Sequence, residues 1–103
     1  MSAIDLRGTN SYPRTYEADS VGTALQAFLL PSGTRFVTIK TTADAWVQWT
    51  GTDGGAVDPA ARYPQGANAG ERWDIRPFKA RRDGGIVYVA AQSGTTTVYL
   101  VIE

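Results

Sequence analysis

The chain has 103 residues, ten basic against ten acidic for zero net charge, 43% hydrophobic and 19% charged content, and neither cysteine nor histidine. That length makes one domain of globular rather than disordered composition, and the balanced charge argues against a general nucleic-acid binder or a protein drawn to anionic membranes. Without cysteine there are no disulfides and no thiolate chemistry, and without histidine the commonest general base and metal ligand are missing.

Apolar stretches such as residues 27–31 are too short to span a bilayer. The opening Met-Ser-Ala-Ile-Asp lacks a basic region followed by an apolar run, so no secretory signal is expected. Residues 1–20 hold few large apolar groups, namely Ile4, Leu6, Tyr12 and Tyr16, without a sustained period. They predict an extended N-terminal arm, with a short strand near 14–18, ahead of one sandwich domain over 21–103. Residues 23–30 (TALQAFLL) run into the turn cluster Pro31-Ser32-Gly33-Thr34 and then a strand over 35–41. A hairpin is the more economical reading than a short helix.

With Thr42-Ala43-Asp44 as a turn, a second hairpin follows. Ile39 faces Val47, Val37 faces Trp49 and Thr41 faces Ala45 on an apolar side. Lys40/Trp46, Thr38/Gln48 and Phe36/Thr50 fall on a mixed side, as a half-buried hairpin requires. Residues 51–70 form a long Gly/Ala/Pro-rich loop, in which Asp53-Gly54-Gly55 reads as a turn. Loop and arm are poor in apolar anchors, so both are expected to order mainly against neighbouring subunits. In residues 71–78, Trp73 and Ile75 point one way and Arg72, Asp74 and Arg76 the other. Pro77 predicts the end of that strand or a sheet edge. Residues 86–91 and 95–102 flank Ser93-Gly94 as a closing hairpin. It sends Val87, Val89, Val98 and Leu100 to one face and Ile86, Tyr88, Tyr99 and Val101 to the other. The sum is an all-β fold, an antiparallel β-sandwich or jelly-roll-like barrel of about six to eight strands.

Catalytic patterns are sparse. Lys40 and Lys79 are the only lysine bases, and neither stands in a recognisable motif. Asp53, Asp58, Glu71 and Asp74 are close enough in sequence to suggest a carboxylate pair, but acids near loops are usually solvated turn residues. No EF-hand, GxGxxG or P-loop spacing occurs. No enzyme activity, cofactor or metal is expected.

Binding surfaces are better represented. A monomer prefers charges where Ile86, Tyr88, Tyr99 and Val101 stand, so this second face is the leading candidate interface. Trp46 and Phe36 on the mixed side, Tyr12 and Tyr16 of the arm and Tyr63 of the loop complete it. Arg76, Lys79, Arg81 and Arg82 form a basic loop able to contact phosphate or an acidic surface, or simply a solvated turn.

Three segments, LLPSGTRFVTI (29–39), AGERWDI (69–75) and GGIVYVAAQSGTTTVYLVIE (84–103), together resemble small β-sandwich structural proteins of tailed-bacteriophage particles. The likeness spans roughly residues 23–103. It implies a non-enzymatic virion protein, foremost a capsid decoration (cement) protein that binds and stabilises the capsid surface, or else a head–tail or tail component. The partners so implied are major capsid or head–tail proteins and further copies of the chain. The implied location is the virion, reached from the host cytoplasm during assembly. A carbohydrate-binding β-sandwich module is the alternative that exposed aromatics keep open.

Overall fold

The structure, a computed structural model, describes residues 3–8, 14–75 and 85–103. These form nine strands: β1 (Ile4–Asp5), β2 (Arg14–Val21), β3 (Gln26–Leu29), β4 (Phe36–Thr41), β5 (Ala45–Gln48), β6 (Tyr63–Gln65), β7 (Glu71–Asp74), β8 (Ile86–Ala91) and β9 (Thr96–Ile102). A five-stranded sheet in the order β1-β3-β8-β5-β6 faces a four-stranded sheet in the order β2-β9-β4-β7. All pairings are antiparallel except the two-residue β1, which runs parallel to β3. Without β1, the two four-strand sets have the connectivity of a double-sheet jelly roll, with open edges rather than a closed barrel.

The expected all-β sandwich is therefore present, but its expected hairpins are not. β3 and β4 lie in different sheets, as do β4 and β5, and β8 and β9. Each predicted hairpin is instead an arch that carries the chain across the sandwich. β9 pairs with β2 and β4, while β8 pairs with β3 and β5. The physical reason is visible at the arch tips, whose polar groups bond to each other. Gln92 donates its backbone N–H to the Asp44 carbonyl (3.0 Å) and its side-chain amide to the Ala45 carbonyl (3.1 Å). The Ala43 N–H donates to Thr96 Oγ1 and the Thr97 N–H to Thr42 Oγ1, both at 3.0 Å. Two adjacent arches thus satisfy the amides that two separate hairpin turns would have satisfied alone.

The predicted core survives this change of partners. Val37, Ile39, Val47, Ile75, Val87, Val89, Val98 and Leu100 are buried between the sheets, with Trp49 and Trp73 packed against them. Phe28, Leu30, Val21, Leu6 and Ile102 complete the layer. β9 shows why: Thr96, Val98, Leu100 and Ile102 are buried and the residues between them are not, the period of two that a pleated strand imposes. Each of the large aliphatic side chains contributes about 1.5–3 kcal/mol by leaving water.

Two further expectations are corrected. The short strand expected near 14–18 is present but longer, and residues 14–21 belong to the sandwich rather than to an arm ahead of it: β2 pairs with β9 from Arg14 to Ala18 and again at Val21, and Ala18 and Val21 enter the core. A register shift between Ala18 and Val21, with Ser20 at φ 58°, bends this edge strand and blunts its open side. The 51–70 segment is not one loop either. It contains β6, which closes the edge of the five-stranded sheet against β5, with Pro64 at the position where an edge tolerates a missing donor.

Candidate interaction surfaces

The outer face of the five-stranded sheet is covered by the chain's own loop. Leu25, Ala27, Tyr88 and Ala90 form a second buried apolar cluster, closed from above by Val57. The loop is held by specific bonds. Gln48 accepts from the Asp58 N–H at 3.0 Å and donates to the Thr50 carbonyl. Asp53 Oδ1 accepts the Ala27 N–H at 3.0 Å, and Leu25 exchanges backbone bonds with Gly54 and Gly55. Gly51, at φ 139°, starts this descent. A Cβ there would lie 2.9 Å from Gln48 Nε2 and 3.0 Å from Leu25 Cδ1, so only glycine lets the loop sit so close.

Tyr88, expected at an interface, is accordingly only 7% exposed. Nor do Tyr88 and Tyr99 share a face: the β8–β9 arch sends their side chains to the outer faces of opposite sheets. Ile86 remains 36% exposed at the end of β8, and Val101 stands beside Tyr99's row on the other sheet. Trp46 lies on the outer side of β5, half-buried, with the Arg62 guanidinium 3.9 Å above its ring.

The outer face of the four-stranded sheet is different. Strand registry builds two rows across it. One runs Glu17–Tyr99–Lys40 and the other Thr15–Val101–Thr38–Arg72. Tyr99, Val101, Thr38 and Phe36 stay half-buried, and neither buried apolar cluster of the described residues includes them. Acids sit on the β2 side, where Glu17 and Asp19 stand two residues apart. Lys40 and Arg72 sit on the β4–β7 side, where Asp74 lies beside Phe36 and Glu103 beside Arg72, so Lys40 is the base that faces the β2 acids across β9. The hydrogen bond with Asp19 and its negative charge hold the Glu17 carboxyl above its ordinary value. Arg72 lies 3.9 Å over the Phe36 ring and 3.3 Å from Glu103. Strand alternation in the sequence marks Phe36, Tyr99 and Val101 as contact residues but does not show this charge order. Its signal was available only as the spacing of Glu17 and Asp19 on one strand side.

Tyr16 and Tyr63 part company. Tyr16 points inward and meets Phe28 edge-on at 6.4 Å. Tyr63 is 44% exposed and packs edge-to-face on Trp73 at 4.8 Å, which in turn meets Trp49 edge-on at 5.5 Å. These three rings lie 64° and 85° to one another, not as a flat platform for stacking a sugar. Tyr12 and the basic loop of Arg76, Lys79, Arg81 and Arg82 lie outside the described residues.

Of the four candidate carboxylates, Asp53 and Asp58 accept backbone amides, from Ala27 and Ala60. Glu71 and Asp74, three residues apart on β7, fall on opposite faces, beside Ile39 and Phe36. Among the described residues no three His, Cys, Asp or Glu side chains come together as a metal site, and no helix is long and apolar enough to cross a membrane. No protein-family model matches the chain, and no curated protein or solved structure matches it.

Proposed function

We propose that the protein is a non-enzymatic assembly protein that acts by docking on protein surfaces, and that its setting is the particle of a tailed bacteriophage. Within that setting a capsid decoration protein is the foremost role, with a head–tail or tail component as the other. The observation that carries the docking reading is the unequal treatment of the two outer faces. The fold spends its long loop covering one apolar surplus, around Tyr88, whereas among the described residues no loop is packed in this way over the other, around Tyr99 and Val101. The phage setting is supported by the resemblance of the three strand segments. Zero net charge is compatible with many copies packed closely on one particle.

The test is cosedimentation of the purified chain with tailed-phage heads and with tails assembled without it. Saturable binding at a fixed stoichiometry to one of them is expected. Absence of binding to both, or binding to a glycan panel in its place, overturns the reading.

A further inference from the structure

We propose that a second copy of this chain docks on the outer face of the four-stranded sheet, the two β9 strands lying back to back along a two-fold axis. This sets Glu17 of each copy against Lys40 of the other. It rests on reading this face as a docking surface, and it is independent of the phage setting.

The inference comes from the order of charges across the sheet. β2 and β4 flank β9, each about 4.8 Å away, and Glu17, Tyr99 and Lys40 stand in one register row. On its own chain Glu17 is therefore about two strand spacings, roughly 10 Å, from Lys40, with Tyr99 between them. Among the described residues neither Glu17 nor Lys40 has an ion-pair partner. A two-fold axis along β9 exchanges β2 with β4 and leaves every row in place. Glu17 then meets the partner's Lys40 on both sides of the axis, Tyr99 meets Tyr99, and Thr15 meets Thr38. The neighbouring row stacks Val101 on Val101. A two-fold axis across the strands would do the opposite, placing β2 on β2 and acid on acid. The face is thus self-complementary in one orientation and repulsive in the other, which is what an isologous contact needs for specificity. Aligned sheet packing at about 30° between the two copies tilts the axis by about half that angle. Glu17 and Lys40, one strand from the axis, stay within side-chain reach.

The size of the face sets the strength. With the axis along β9 only β2, β9 and β4 overlap, since β7 has no counterpart beyond β2; three strands wide and about seven residues long, the contact offers about 350 Å² per copy and about 700 Å² in total, well below the standard size of a stable complex. The contact is accordingly a concentration-dependent dimer that dissociates on dilution and with salt.

Sedimentation equilibrium on the intact chain tests it, with circular dichroism to confirm folding. The parent should associate reversibly as a dimer. Glu17→Lys and Lys40→Glu should each weaken the dimer about tenfold or more at low salt. The double swap E17K/K40E should return to within about threefold of the parent, because it exchanges the charges without changing their complementarity. An equimolar mixture of the two single variants should form a mixed dimer, since one carries only bases at these positions and the other only acids. Should either reversal unfold, Glu17→Gln and Lys40→Gln remove the charge more gently and should weaken the dimer about threefold. A parent that stays monomeric up to millimolar concentration overturns the proposal. So do charge variants that associate as the parent does, or a folded double swap that does not recover. Failure here with particle binding intact leaves the assembly role standing, whereas dimerisation without binding to heads or tails overturns that role and not the dimer.

Discussion

The two outer faces of the sandwich receive the same kind of strand and end differently. Each has a tyrosine at its centre, Tyr88 on β8 and Tyr99 on β9, with apolar residues two positions away. What differs is the pair of residues across from each. Tyr88 lies between Ala27 and Gln48. The first is small enough to leave room, and the second fastens the covering loop through Asp58 and Thr50. Tyr99 lies between Glu17 and Lys40, both of which are exposed and charged. An aromatic on a strand is thus made core or surface by its cross-strand neighbours, not by its own strand's pattern.

The difference can be broken or sharpened by substitution. The largest effect is expected where both sheets share one layer. Phe28→Ala, in a fully enclosed position, should cost about 3–5 kcal/mol in urea unfolding, and Leu100→Ala about 2–5 kcal/mol. Losses near half a kcal/mol would mean that the two sheets do not pack on these residues.

The next largest effect separates the two tyrosines. Tyr88→Ala should cost about 2–4 kcal/mol as a cavity beneath Val57, whereas Tyr99→Ala should cost the monomer less than about half a kcal/mol. Equal costs would erase the distinction between the faces. Asp53→Ala should cost about 1 kcal/mol and speed amide exchange at Ala27, whose N–H it accepts. Unchanged exchange there would show that the loop is held without this bond.

The smallest effect is on pH. Glu17 binds its proton more readily in the folded chain than unfolded, because of its hydrogen bond with Asp19 and the acid's charge. Stability from this group is therefore present at low pH and fades as pH rises through the raised value. Asp5 behaves oppositely. Hydrogen bonds from the Arg7 side chain and backbone hold its carboxyl at about 2 rather than 3.8. Its contribution is present above 3.8 and is lost as pH falls toward 2. Thermal unfolding of Glu17→Gln and Asp5→Asn across the acid range should show small pH slopes of opposite sign relative to the parent. Profiles identical to the parent's would remove both interactions.

Part of the interaction face was legible before the structure. Strand alternation alone sends Phe36, Tyr99 and Val101 away from the core. Tyr88 joins them only if residues 86–91 and 95–102 form a hairpin, which would put both tyrosines on one side. The row Glu17–Tyr99–Lys40 was not legible, because it joins three strands far apart in the chain. The loop's attachment escaped notice for a similar reason: its anchors are a glutamine and an aspartate that only gain partners when the loop folds back.

By itself the sequence determined which residues enter the core, since a period of two points alternate side chains to one side whatever the partner strand. It could not determine which strands pair. A hairpin turns the same side chains toward one shared face, and an arch turns them toward each other across the gap between sheets, so the two produce the same alternation. Only the tertiary structure decided between them, through the bonds that Gln92, Thr96, Thr42 and their neighbours make between adjacent arches. That choice divided one apolar surplus between two outer faces, and the residues across from Tyr88 then settled that the loop after Gly51 packs over its half.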